Sequence, residues 1–153
     1  MTKFENAKFD NRLKDLGDTS EGKFEEWATK HGVPFVRMGF NRPPFERFYK
    51  FPEELRLMPD YAVEGSGPAM VEVKGCGKEG LKVKLESIRV MEFWDTMIDV
   101  RIFIFNSARP QRYAWLNLFD LIALTDDKGT RKFPDGKEYY LIPNDEIEWT
   151  DWT

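Results

Sequence analysis

Pro59-Asp60-Tyr61-Ala62-Val63-Glu64-Gly65-Ser66-Gly67-Pro68-Ala69-Met70-Val71-Glu72-Val73-Lys74-Gly75-Cys76-Gly77 is the stretch on which the reading of this chain turns. Tyr61 to Glu64 and Ala69 to Lys74 are β-prone runs, and the Gly65-Ser66-Gly67-Pro68 turn between them predicts a hairpin. In the second run, strand alternation puts Val71 and Val73 on one face and Glu72 and Lys74 together on the other. Gly75-Cys76-Gly77 ends that strand. A hairpin sets Asp60, at the start of the first strand, beside the Glu72 and Lys74 face.

Upstream, Phe24, Trp27, Ala28 and His31 recur at helical spacing, with Thr19 or Ser20 as N-cap and Gly32 as the stop. This predicts an amphipathic helix over Ser20 to His31. Pro34 to Met38 and Glu46 to Phe51 read as extended, separated by Asn41-Arg42-Pro43-Pro44, where paired prolines forbid a helix. Downstream, Leu81 to Val83 extends briefly, and Leu85, Ile88, Met91 (or Glu92) and Trp94 (or Asp95) trace a helical stripe. Asp99 to Phe105 is the clearest strand.

Tyr113 to Leu124 is apolar on nearly every side, so periodicity does not separate strand from helix there. The reading adopted is a strand at Tyr113 to Leu118 and a short helix at Asp120 to Leu124. A turn at Phe133 to Lys137 then leads into a strand at Glu138 to Ile142. Trp94, Trp115, Phe103 and Phe105 are expected in the core, and Trp149 and Trp152 to pack the tail back onto the sheet or onto another subunit. The order of elements predicts an α/β or α+β sheet domain.

The 153 residues carry 27 acidic and 23 basic side chains, a net charge of −4, and are 41% hydrophobic, which predicts one folded domain over 1–153 rather than a disordered chain. No apolar run approaches the roughly 18 to 20 residues that span a bilayer, and Met1 to Asn6 has no apolar leader, so a cytoplasmic protein is expected. One cysteine, Cys76, and one histidine, His31, exclude zinc, haem and iron–sulfur ligand sets. The chemistry must then use carboxylates, lysines or arginines. Lys74, Lys78, Lys82, Lys84 and Arg89 crowd the centre, with Arg109 and Arg112 further on, so a basic surface is expected on an acidic protein.

Two carboxylates held close together repel, and a divalent cation reverses that. Mg²⁺ takes hard oxygen ligands, so Asp60, Glu72 and the carbonyl of Val73 would make an open site, with Lys74 on the same face beside a scissile phosphate. That combination suits phosphodiester hydrolysis. The plainer reading is a solvated strand face with a weak same-side ion pair.

Pro59-Asp60 followed by Glu72-Val73-Lys74, with the two acids twelve positions apart, resembles the PD-(D/E)XK nuclease superfamily. The resemblance runs from about Ser20 to Asn106. It implies a restriction-endonuclease-like mixed β-sheet flanked by helices, an αβββαβ core over about 20–106, followed here by a C-terminal β extension over about 107–153. It further implies dependence on Mg²⁺ or Mn²⁺, ligation by Asp60 and Glu72, and a catalytic Lys74. In archaeal-type Holliday junction resolvases of this superfamily the first helix adds an acid, ahead of a Gly and an apolar strand ending in Arg. Glu21, Gly32 and Val33 to Arg37 are similar to that pattern, with Glu25 as the alternative acid. Lys82 and Lys84 look like residues that approach a phosphate in some members.

The expectation is a metal-dependent DNA endonuclease acting on branched DNA, resolvase-like and dimeric, from a bacterial, archaeal or phage-infected cell. Lys78, Lys82, Lys84, Arg109 and Arg112 are the expected DNA contacts. The alternatives are a catalytically silent nucleic-acid-binding or assembly module of the same fold, or an exonuclease or restriction-type nuclease.

Overall fold

The computed structural model describes residues 20–38, 50–109 and 112–152. Its centre is a six-stranded mixed sheet built from β1 (Phe35–Arg37), β2 (Tyr61–Glu64), β3 (Pro68–Cys76), β5 (Asp99–Asn106), β6 (Arg112–Asn117) and β9 (Thr150–Asp151), in that order across the sheet. β3 and β5 are parallel from Ala69↔Asp99 to Cys76↔Asn106, and the other neighbours are antiparallel. A parallel pair needs a crossover, and here it is made by β4 (Leu81–Lys84) and α3 (Leu85–Asp95).

Helix α1, residues 20–30, covers one face, with Phe24 and Ala28 sealed against Tyr61, Val71, Phe103 and Phe105. The other face packs Met70, Val100, Ile102 and Ile104 against Met91 of α3 and Leu118 and Leu121 of α4 (Leu118–Thr125). Helices thus flank a central mixed sheet, as the sequence implies. Alternation along β3 holds: Val71 enters the α1 cluster, while Met70 and Cys76, on the face of Glu72 and Lys74, enter the other.

Several boundaries differ from the sequence reading. His31 lies just past the helix, exposed and stacked on Trp27 at 4.5 Å; Gly32, at φ +65°, ends the turn where a side chain would be strained. The candidate cap Thr19, Asn41 to Pro44 and most of Glu46 to Phe51 fall outside the described residues, and Lys50 at the end of that stretch is in a tight turn, not extended. A one-turn helix, α2 (Glu53–Arg56), was not anticipated; Pro52 precedes it and Glu53 and Glu54 fill its first turn. α4 begins at Leu118 instead of Asp120, because the Asn117 side chain accepts the backbone N–H of Asp120 at 2.7 Å.

The C-terminal third is woven into the rest. β6 and β9 extend the main sheet, whereas β7 (Arg131–Lys132) and β8 (Glu138–Ile142) pair with β4 in a second sheet of order β4-β8-β7. Ile142, Ile147 and Trp149 join the core cluster, and Trp152 packs edge-on against Tyr113 at 5.3 Å, so the tail does fold back. Among the described residues no helix is long and apolar enough to cross a membrane.

Candidate functional site

Asp60 immediately precedes β2 and is fixed twice. Its backbone carbonyl accepts the N–H of Met38 at 2.7 Å, and its carboxylate Oδ2 accepts the N–H of Val73 at 2.8 Å. Pairing between β2 and β3 ends at Tyr61↔Val71, so the Asp60 side chain satisfies the next outward-facing N–H of β3 in place of a strand. That bond pins Asp60 beside the residues flanking Val73. Glu72 and Lys74 are there, joined by an ion pair of 3.3 Å between Lys74 Nζ and Glu72 Oε1, with side chains only 13% and 22% exposed respectively.

The electrostatics follow from this crowding. Burial pushes the Glu72 carboxyl up to about 7, and the charges of Asp60 and Glu21 push the same way against the opposing pull of Lys74. Burial also raises Asp60, against the Val73 hydrogen bond and the charges of Lys74 and Arg37. For Lys74 burial disfavours the charge, but Glu72 and Asp60 outweigh it and hold the ammonium above its ordinary value. The site therefore crowds the carboxyl groups of Asp60, Glu72 and Glu21 against the positive charges of Lys74 and Arg37. Among the described residues no group of three or more His, Cys, Asp or Glu side chains is gathered tightly enough to hold an ion alone. Asp60, Glu72 and the carbonyl of Val73 offer the oxygen donors that a hard cation takes, and any such ion would complete its shell with groups from outside the chain.

Asp60, Glu72 and Val73 open onto a cleft of about 630 Å³ that is lined also by Ser20, Glu21, Gly75, Lys78, Lys82 and Ser107; Lys74 is not a lining residue and reaches the site through its ion pair with Glu72. Glu21 lines the cleft and bonds Arg37 Nη2 at 2.9 Å. Glu25, one turn along, is not a lining residue; it meets the same Arg37 nitrogen at 3.3 Å and accepts the Tyr61 hydroxyl at 3.0 Å. Ser20, the first described residue of α1, lies over Gly75, where a Cβ would stand 2.5 Å from the Ser20 Oγ.

Of the basic residues singled out in the sequence, Lys78 and Lys82 line the cleft. Arg109 is exposed in the turn after β5, while Arg112 pairs with Asp151 at 3.2 Å and Lys84 rests over the Phe133 ring. Cys76 is buried, its thiol pushed up to about 11 by burial, which removes it as a nucleophile. Arg37 is the residue that sequence reasoning undervalued. It closes an apolar strand there; in the structure it joins Glu21, Glu25 and Tyr61, being the cross-strand neighbour of Tyr61 next to Asp60.

The acid ahead of β2, the Glu-x-Lys in the middle of β3 and the parallel β3–β5 pair bridged by α3 reproduce the arrangement that the sequence resemblance implies. The fold is a central mixed β-sheet flanked by helices. No family model matches the chain, and no curated protein does. Among solved structures, the chain is similar to Hjc, a Holliday junction resolvase of the archaeal hyperthermophile Archaeoglobus fulgidus. The TM-score is 0.47 at 12% identity, over 81% of this chain and 86% of that one. It is similar also to D212, a nuclease from a fusselovirus, with TM-score 0.45 and 14% identity over 97% of this chain and 88% of that one.

Proposed function

We propose that the cleft hydrolyses phosphodiester bonds of DNA with the help of a divalent cation, Mg²⁺ or Mn²⁺, held by Asp60, Glu72, the carbonyl of Val73 and Glu21. The observation that carries this reading is the convergence of Asp60, Glu72 and Lys74, with the Asp60 carboxylate bonded to the Val73 N–H at 2.8 Å and Lys74 Nζ 3.3 Å from Glu72. Such an ion supplies Lewis acidity at neutral pH and offsets charge on a phosphate.

The protein's own groups do the rest. Asp60 and Glu72 are held by adjacent strands, so their oxygens are positioned before substrate arrives. Lys74, kept protonated by its two acidic neighbours, serves as a positive hydrogen-bond donor that holds the attacking water and stabilises charge developing on the phosphoryl oxygens. Lys78 and Lys82 on the cleft lining and Arg109 beyond it draw the phosphate backbone in, with Lys84 and Arg112 further out.

The substrate we favour is branched DNA such as a four-way junction, cut by a homodimer, because symmetric cleavage of two strands needs two sites. Incubation with supercoiled, single-stranded, flap and four-way-junction DNA, with Mg²⁺ or with chelator, tests both parts. Cutting of the junction ahead of the other forms, only with metal, and a dimer in sedimentation on the junction are expected. Indifference to chelator overturns the metal reading; preference for another form, or a strict monomer on the junction, overturns the branched-DNA reading. Uncut DNA bound equally well in chelator identifies a silent binding module.

A further inference from the structure

The outward face of the second sheet carries a grouping of aromatic and basic side chains, of which the cleft reading uses only Lys82 and Lys84. Lys84 pairs across β4 and β8 with Tyr139, and Tyr139 pairs across β8 and β7 with Arg131, so the three side chains lie in a row across the sheet. Phe133, just after β7, stacks on Tyr139 with ring centroids 4.1 Å apart and planes 29° from parallel. Lys84 Nζ rests 5.5 Å from the centre of the Phe133 ring and Lys82 Nζ 5.7 Å from that of Tyr139.

Charge in the segments that carry this face runs opposite to that of the chain. The stretches 78–84 and 131–139 hold six basic and three acidic residues in a protein whose net charge is −4. Of those three acids, Glu79 pairs with Lys82 at 3.3 Å, Asp135 caps the turn at Lys137, and Glu138 accepts the Thr130 hydroxyl. Among the described residues Lys84 and Arg131 have no carboxylate partner. Lysines parked on ring faces give up little when a phosphate takes them, and the rings they leave accept a base of any sequence. A duplex hides its base faces, so stacking selects unpaired strands.

We propose that this face binds a single-stranded segment of nucleic acid, with bases stacked on Phe133 and Tyr139 and phosphates on Lys84 and Arg131. Lys82 belongs both to this face and to the cleft lining, so a strand held here leads into the cleft. That last step rests on the nuclease reading; the binding itself does not.

The test is fluorescence anisotropy in chelator with a labelled thymidine oligonucleotide and a blunt duplex of equal length. The Lys84→Glu, Arg131→Glu double variant is expected to lose about tenfold or more in affinity for the single strand, and Phe133→Leu, which keeps apolar bulk, about fivefold or more while duplex affinity stays within about twofold. Wild-type affinity in both variants, or equal loss on single strand and duplex in Phe133→Leu, overturns the proposal. Photo-crosslinking of the unaltered protein to a halogenated uracil oligonucleotide needs no variant: adducts on Phe133 or Tyr139 support it, and adducts confined elsewhere overturn it. A protein that binds single strands through this face and never cuts overturns the nuclease reading alone. One that cuts while the double variant binds normally overturns this inference alone.

Discussion

Asp60 and Val73 are joined by a 2.8 Å hydrogen bond from backbone N–H to carboxylate, and this bond stands where strand pairing between β2 and β3 stops. It places one acid opposite the peptide that links a second acid, Glu72, to a lysine, Lys74. The same contact that terminates the hairpin therefore assembles the site.

Replacing Asp60 separates its structural role from its chemical one. Asp60→Ala leaves the Val73 N–H without its acceptor and is expected to cost about 1–2 kcal/mol. Asp60→Asn keeps an acceptor in place and should cost less than half as much, while both variants lose metal binding. Urea denaturation and Mn²⁺ titration calorimetry read the two effects separately; equal stability of the two variants contradicts the role given to this bond.

The Glu72 carboxyl sets a pH dependence of unusual sign. Because its value in the fold, about 7, lies above the ordinary 4.5, the folded metal-free chain binds the extra proton, and stability falls as pH rises through that window. The loss from this group is on the order of 3 kcal/mol. Glu72→Gln should flatten the profile between about pH 4.5 and about pH 7 and stabilise the metal-free protein at and above the upper end. Saturating Mn²⁺ should offset the wild-type decline, since a cation binds the ionised form. Denaturation midpoints across pH provide the check, and a variant as pH-sensitive as the wild type contradicts it.

Glu21 and Glu25 share Arg37, yet only Glu21 lines the cleft with Asp60 and Glu72. Glu21→Gln is expected to weaken Mn²⁺ affinity about tenfold or more, in the range found for groups that tune a metal site, and Glu25→Gln by less than about threefold. The reverse order in calorimetry would move the helix acid one turn along.

Gly75 admits the first described turn of α1 to the strand. Gly75→Ala would drive a methyl against Ser20 Oγ and should cost about 1–3 kcal/mol. Adding Ser20→Ala removes that oxygen and should restore most of the loss, a coupling that a double-mutant cycle in denaturant measures directly. Additive losses would show that the contact is not the cause.

The hairpin, the alternation along β3 and the crossover helix were legible in the sequence because each is local: a four-residue turn, a two-residue period, a stripe of Leu85, Ile88, Met91 and Trp94. The pair Glu72 and Lys74 follows from the same period, and Asp60 follows from the hairpin that sets it alongside. The Arg37 hub was not legible, since it depends on the register Arg37↔Tyr61 between strands far apart in the chain. Nor was the second sheet, where Leu81 pairs with Ile142 and the backbone of Ile142 lies so close to Gly80 that no side chain fits. The start of α4 was readable in principle from Asn117, whose side chain caps the helix, but the continuous apolar run around it obscured the strand-to-helix change.

The most direct test of the proposed chemistry is the initial rate of Mg²⁺-supported DNA cleavage by the wild type and by Asp60→Asn, Glu72→Gln and Lys74→Met, each first shown to be folded by circular dichroism. Each substitution is predicted to lower the rate by about a thousandfold or more, since these groups act on one phosphate as a unit. Cleavage at the wild-type rate by any one of the three would contradict the account.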